Sequence, residues 1–263
     1  MNEVHVPDWV GQTYFKPPQC SHISSQYETN DNMKCNLGIP MPIIGAYSES
    51  FKEHESYGKV FNDGSVTNMP GVYSGNDLYT AVADMNNDGY IDIVIGNTDK
   101  NSRVVLNNGY GLFIDPPILI YNTLGNFRMT CIALADMNDD GYVDVVIGNR
   151  FLGNSLVMNN GDETFADPPM TLPGSELSTK SIALADMNND GYIDIVVGND
   201  KESNHVLINN GNGVINDFPI QLPGGNGSTR SIALADMNND GYIDIIIGTP
   251  FDKMNKIVMN NGN

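Results

Sequence analysis

Asp186-Met-Asn-Asn-Asp-Gly-Tyr-Ile-Asp-Ile-Val-Val-Gly198 is one of four copies of a thirteen-residue stretch, and the others begin at Asp84, Asp136 and Asp236. In each copy, oxygen-bearing side chains stand at positions 1, 3, 5 and 9, and three of these four are carboxylates. A hard cation such as Ca²⁺ takes roughly six to eight oxygen ligands, so a tight loop with oxygens at alternate positions is able to surround it. The pattern therefore predicts four metal-binding loops.

Two further positions of the stretch fit this prediction. Position 6 is always glycine, which permits a sharp turn. Position 7 is always tyrosine, whose backbone carbonyl would serve as a ligand while its ring packs elsewhere. The predicted ligands are Asp84, Asn86, Asp88, Tyr90, Asp92, Asp136, Asn138, Asp140, Tyr142, Asp144, Asp186, Asn188, Asp190, Tyr192, Asp194, Asp236, Asn238, Asp240, Tyr242 and Asp244.

An EF-hand is the competing interpretation, because its loop begins in a similar way. It needs glutamate at position 12 and a helix on either side, whereas this chain has Ile or Val at that position. Short runs of β-branched residues bounded by glycine and asparagine, such as residues 193–199, predict buried strands instead. A plain hairpin turn would explain one Asp-Gly pair but not the aspartates at positions 1 and 9. The loops are thus expected to join two strands.

The spacing of the copies predicts the architecture. Their first aspartates are 52, 50 and 50 residues apart, a period typical of propellers and other repeat arrays. In the third copy, strands are predicted at residues 181–185, 193–199 and 205–208. Asn209-Asn210-Gly211 then predicts a hairpin of type I′, which needs positive φ at both central residues. A proline-containing edge strand follows each such turn, as at residues 164–173.

Four short antiparallel strands per repeat describe one blade of a β-propeller. The predicted fold class is therefore all-β, a β-propeller of about five four-stranded blades; a parallel β-helix is less suitable because its repeats are shorter. Residues 78–263 hold four blades, the last without its own outer strand. Residues 1–77 hold an edge strand and a degenerate blade. Residues 10–18 would close a five-bladed ring by completing the last blade, and the alternative is an arc of a larger propeller.

The charge excludes some classes of partner. The net charge is −19, from 13 basic and 32 acidic residues, which argues against nucleic acids and anionic membranes. Three carboxylates in each of four loops supply more than a third of those acids. No stretch approaches 18 consecutive apolar residues, so no direct membrane insertion is expected.

Cysteines and histidines are few. Cys20 and Cys35 would form a disulfide in an oxidising compartment or stay unpaired otherwise, and Cys131 is expected to be a buried thiol. The four histidines, among them His205, are expected at the surface. No nucleophile elbow, phosphate-binding loop or zinc spacing is present in the sequence, so no catalytic residues are assigned and the chain is not expected to be an enzyme.

The Asp-x-Asn-x-Asp-Gly-x-x-Asp motif between two β runs resembles the FG-GAP repeats of integrin α-subunit propellers and the related VCBS repeats. The resemblance covers residues 78–263 well and the first 77 weakly. It implies about four Ca²⁺ ions, bound on one face by the loop residues given above, with the opposite face or rim engaging a protein or glycan ligand. This chain departs from the integrin-like propeller in its number of blades, since that propeller has seven and about five are predicted here.

Three functions remain open at this level. The first is a calcium-binding scaffold for cell-surface adhesion or recognition, and the second is a glycan-binding lectin. The third is a non-catalytic accessory domain of a secreted hydrolase. The N-terminus has no basic region followed by an apolar one, so either the protein is not secreted by the usual route or the chain is a fragment without its leader. An extracellular or cell-surface fragment is the preferred interpretation, because calcium modules of this kind suit the millimolar calcium outside cells.

Overall fold

The structure is a computed structural model that describes residues 77–98, 101–110, 112–114, 116–120, 129–150, 153–174, 178–223, 227–250 and 254–262, with two short strands nearer the N-terminus. The chain divides into two units, Met1–His54 and Glu55–Asn263. The predicted degenerate blade and the closing segment at residues 10–18 lie outside the described residues. They stay predictions.

The described part of the first unit is one antiparallel pair of strands, β1 (Cys20–Ser21) and β2 (Lys34–Cys35). Its register sets Cys20 directly opposite Cys35. The disulfide between these two residues stays a prediction.

The described residues of the second unit form four antiparallel sheets, here called blades 1 to 4. Each blade follows the chain order of its strands, from the inner strand outward. Blade 1 has β3 (Asp77–Ala83), β4 (Asp92–Asn97), β5 (Ser102–Val105) and β6 (Ile118–Ile120). Blade 2 has β7 (Met129–Ala135), β8 (Asp144–Asn149), β9 (Ser155–Val157) and β10 (Met170–Thr171). Blade 3 has β11 (Thr179–Ala185), β12 (Asp194–Asn199), β13 (His205–Leu207) and β14 (Ile220–Gln221). Blade 4 has β15 (Ser231–Ala235), β16 (Asp244–Gly248) and β17 (Lys256–Val258).

The hydrophobic core lies between successive blades. On β8, Val145 and Ile147 pack with residues of blade 1, whereas Val146 packs with residues of blade 3. On β12, Val196 likewise faces blade 4 while its two neighbours face blade 2. Both faces of the second strand are therefore buried, which is why its sequence is an unbroken apolar run and not an alternation.

Blade 4 differs at its outer edge, where the described strands end at β17. Ile257 is 54% exposed, whereas Leu156 on β9 is 1% exposed and Val206 on β13 is 5% exposed. Leu156 packs with residues of blade 3, and Val206 packs with residues of blade 4. Among the described residues no further blade covers Ile257 in this way.

Two predictions about the hairpins were wrong. The turn glycines have positive φ, as in Gly161 at 76°, but the preceding asparagines do not, so the turns are not type I′. The chain makes a wider connection instead, in which Asn159 bridges to Phe165 and the Asn160 N–H donates to the Thr164 carbonyl. The outer strands of blades 2 and 3 are also shorter than predicted, with two residues each.

His205 is not at the surface. It is 1% exposed on β13, and burial lowers the pKa of its imidazole. The Cys131 thiol is buried as predicted although its residue is partly exposed overall, and burial raises its pKa to about 12. Among the described residues there is no helix suited to spanning a membrane.

Candidate metal centres

Each predicted metal loop connects the first and second strands of a blade, as expected. The loops, numbered by blade, span residues 84–92, 136–144, 186–194 and 236–244. Each one ends where a strand pair begins, since Ala185 pairs with Asp194 in blade 3 and the equivalent residues pair in the others. The sheet therefore fixes both ends of the loop.

Side chains at positions 1, 3 and 5 fold the loop by accepting backbone hydrogen bonds. In loop 3, Asp186 accepts from the N–H of Asp190 at 3.1 Å and from that of Gly191 at 2.8 Å. Asp190 in turn accepts from the Tyr192 N–H at 2.9 Å. The same bonds recur in the other three loops. Since a carboxylate has about four lone-pair sites, each of these side chains keeps sites for a further partner.

The amide at position 3 lies between two of these groups. The Asn188 Oδ1 accepts from the Asp190 N–H at 3.1 Å, and its Nδ2 donates to the Asp190 Oδ2 at 2.8 Å. Loops 1, 2 and 4 repeat both contacts. The structure thus joins the predicted ligands at positions 1, 3 and 5 into one hydrogen-bonded group.

The aspartate at position 9 is buried and has a structural role that the sequence did not indicate. In loop 3, Asp194 accepts from the N–H of Met187 and from that of Asn209, both at 2.8 Å. Asp92, Asp144 and Asp244 make the equivalent pairs of bonds, and all four aspartates have no exposed surface. This carboxylate therefore connects its own loop to the turn after the third strand.

Burial makes the charge of this aspartate unfavourable. It raises the pKa of Asp144 and Asp194 to about 6, while the two backbone donors act in the opposite direction. The carboxylates at positions 5 and 1 raise these pKa values further. The pKa of Asp92 is raised for the same reasons. The three acidic groups of a loop thus repel one another, and a nearby cation would favour their ionised forms.

The donor set fits a hard cation, but the side chains do not converge as they stand. In the described parts of the chain, no three acidic, histidine or cysteine side chains come together closely enough to hold an ion. Each loop nevertheless offers carboxylate, amide and carbonyl oxygens and contains no histidine or cysteine, and oxygens are the ligands that Ca²⁺ prefers.

Asparagines at the start of the turns join neighbouring blades. Asn209 is buried, and its Nδ2 donates to the Met137 carbonyl in loop 2 at 2.7 Å and to the Ile193 carbonyl in loop 3 at 3.1 Å. Asn159 and Asn260 make the same two contacts at the other junctions. The sequence predicted these residues only as parts of turns. Their recurrence in every repeat was the one signal that could have found them.

The tyrosine ring at position 7 packs on the turn glycine of its own blade. A Cβ added to Gly161 would lie 2.4 Å from the Tyr142 ring, and the other three turns show the same close approach. The ring, which was expected to be available for packing, thus covers the turn and holds it against the loop. Tyr142 would therefore bind a cation through its backbone carbonyl.

We expect Gly161→Ala to destabilise blade 2 by about 3 kcal/mol, through positive φ and overlap with the Tyr142 ring. Gly141→Ala is the matched control, because Gly141 also has positive φ, 89°, but no atom within 4 Å of an added Cβ. It should lose only the backbone contribution of about 1–2 kcal/mol. Urea unfolding in EDTA measures both, and equal losses would contradict the packing role of the ring.

The fold and its loops define a class of protein, a repeat-built β-propeller with an oxygen-rich loop in each blade. A family model described as an FG-GAP-like repeat matches residues 84–147, 136–197 and 186–247, which together exceed half of the chain. The chain belongs to this family, which confirms the predicted resemblance and the propeller fold.

A curated relative also matches this chain in sequence. Integrin alpha-8 of Mus musculus is 38% identical to this chain over 90 residues. The match covers 28% of this chain and 8% of the integrin. The chain therefore corresponds to a small part of that relative.

Proposed function

We propose that this chain is a calcium-stabilised propeller that presents a surface for recognition or adhesion outside the cell. The observation that carries the calcium part is the position 9 aspartate. Asp144 and Asp194 are fully buried, belong to loops in which two further carboxylates are proposed ligands, and have pKa values raised to about 6. A divalent cation in the loop would compensate this buried negative charge.

Within each loop, the carboxylates at positions 1, 5 and 9, the amide oxygen at position 3 and the carbonyl at position 7 would hold the ion. When bound, Ca²⁺ supplies positive charge that neutralises the repulsion among the three acids. In loop 3, Asp190 Oδ2 accepts a hydrogen bond from the Asn188 amide. It would give up this bond in order to bind the cation. The backbone donors of Gly191 and Tyr192 orient the remaining oxygens.

The recognition part rests on family and on the match to an integrin α-subunit. Extracellular calcium is of the order of millimolar, in the range over which extracellular modules bind it. A protein or glycan ligand is proposed on a face or rim of the propeller, and no catalytic role is assigned. The lectin and the accessory domain of a hydrolase stay alternatives that no contact among the described residues favours.

A calcium titration by calorimetry tests the metal sites directly. We expect about four ions per chain. Asp190→Ala should lower this number by about one, because it removes one carboxylate from loop 3 and leaves the apolar strands unchanged. Asp217→Ala is the matched control, since it removes the same charge from an exposed position of blade 3 outside the loop. Wild-type protein that takes up no calcium would overturn the proposal.

A further inference from the structure

The residue at position 4 is not the same in all four loops, and the metal motif does not explain the difference. It is Asn87, Asp139, Asn189 and Asn239, and all four have left-handed φ, between 57° and 60°. Asparagine and aspartate are the residues other than glycine that adopt this conformation most readily. Each one stands between two proposed ligands, at positions 3 and 5. A cation that fixes those two ligands therefore also fixes the backbone of the residue between them.

Two of these residues reach the loop of the next blade. The Asn87 Nδ2 donates to the Gly141 carbonyl of loop 2 at 2.8 Å. The Asn189 Nδ2 donates to the Gly241 carbonyl of loop 4 at 2.9 Å. These bonds link loop 1 to loop 2 and loop 3 to loop 4.

The acceptor in each case belongs to a peptide that holds a proposed ligand. The Gly141 carbonyl and the Tyr142 N–H are in one peptide group, and that N–H donates to the Asp140 Oδ1 at 2.9 Å. The Tyr242 N–H likewise donates to Asp240 at 2.9 Å. A hydrogen bond to the carbonyl of a peptide orients that peptide and polarises its N–H. Asn87 therefore steadies Asp140, in a different blade.

The junction between loops 2 and 3 lacks this bond. Asp139 has no hydrogen to donate when ionised, and within the described structure it makes no bond to the Gly191 carbonyl. The bonds from Asn159, Asn209 and Asn260 to the preceding blade occur at all three junctions, so they do not produce the difference. The position 4 contacts divide the four loops into two pairs.

We propose that Asn87 and Asn189 are positioning residues that couple cation binding within two pairs of loops, 1 with 2 and 3 with 4, and that Asp139 separates the pairs. The proposal rests on the proposed calcium sites. Binding in loop 1 orders the residues on both sides of Asn87 and thereby the peptide that holds Asp140. Coupling between two sites is reciprocal, so each site of a pair raises the affinity of the other.

The position 6 glycine amides report each loop separately in a calcium titration followed by NMR. Asp88→Ala, which disables loop 1, should raise the midpoint at Gly141 by about two- to fivefold, the size expected from one exposed hydrogen bond. The midpoints at Gly191 and Gly241 should not change. Adding Asn87→Gly, which keeps the left-handed backbone and removes the donor, should abolish the effect of Asp88→Ala. Asn239→Gly is the control and should leave the effect of Asp88→Ala unchanged, because no acceptor for Asn239 is found among the described residues.

Asp139→Asn is the gain-of-function variant, since it restores a donor without changing the size of the side chain. With it, disabling loop 2 through Asp140→Ala should raise the midpoint at Gly191, which it should not do in the wild-type background. A second readout needs no metal: in EDTA, the Tyr142 amide should exchange its hydrogen faster in Asn87→Gly, and the Tyr192 amide should exchange more slowly in Asp139→Asn.

The outcomes separate the two proposals. If no glycine amide of the wild type responds to calcium, the proposed metal sites fail and the coupling fails with them. If the amides respond but the Gly141 midpoint is the same with and without Asp88→Ala, the coupling alone is overturned. Unchanged Tyr142 exchange in Asn87→Gly would also overturn it, because the bond between loops would then be absent in solution.

Discussion

Removing calcium with EDTA is expected to lower the melting temperature by about 10–20 °C relative to protein in excess calcium. With free Ca²⁺ at about ten times the Kd, each filled site adds about 1.4 kcal/mol to the free energy of unfolding. Four sites then give a shift of this size for a domain of about 200 residues. Thermal melts followed by circular dichroism measure it.

Mg²⁺ at the same ionic strength is the control for this experiment. It requires a tighter octahedral geometry and releases its water reluctantly, so it should restore only a small part of the lost melting temperature. Asp190→Ala should show about two thirds of the wild-type calcium shift, because it retains three loops and loop 4 loses its coupling to loop 3. Coincident melts in EDTA and in calcium would show that the loops do not stabilise the fold through a cation.

Asp194→Ala is expected to unfold much more easily than Asp190→Ala even when both are measured in EDTA. It leaves the N–H groups of Met187 and Asn209 buried without an acceptor, and each such group costs about 1–3 kcal/mol. The substitution also removes a buried charge whose pKa burial has raised, which offsets part of the loss. A net destabilisation of about 2–3 kcal/mol follows.

Asp190→Ala is the matched control for this prediction, because it is the same substitution in the same loop but at an exposed position. The bonds of Asp190 to Tyr192 and Asn188 are exposed. Its unfolding free energy in EDTA should fall by less than half as much. Urea unfolding curves measure the free energy of unfolding of both variants, and unchanged slopes allow the two values to be compared. Equal destabilisation would mean that the position 9 aspartate is only a ligand and has no role in joining the loop to the turn.

The strand–loop–strand order was determined by the sequence, because its signals are local. A glycine at position 6 and the β-branched run that follows the loop act within a few residues. The 50-residue period then indicated repeated blades. Burial was predicted correctly for the second strand, since an unbroken apolar run such as that of β12 requires cover on both faces.

The tertiary structure alone decided how these units are joined. Asn209 contacts the Met137 carbonyl, 72 residues away along the chain. No local sequence pattern indicates a contact over such a separation. His205 was expected at the surface because histidine is polar, yet its ring lies against Asn199 and the turn at Gly174. The turn type was wrong because the bridge from Asn159 to Phe165 sets a wider loop.

The same division applies to the metal loops. Spacing along the chain selected the oxygen-bearing side chains, because a loop of nine residues brings alternate positions to one side without help from the rest of the fold. Spacing did not show that Asp194 is buried or that Asn87 and Asp139 differ in the neighbour they reach. Those properties depend on the blade packed alongside, whose contacts come from residues about 50 to 70 positions away.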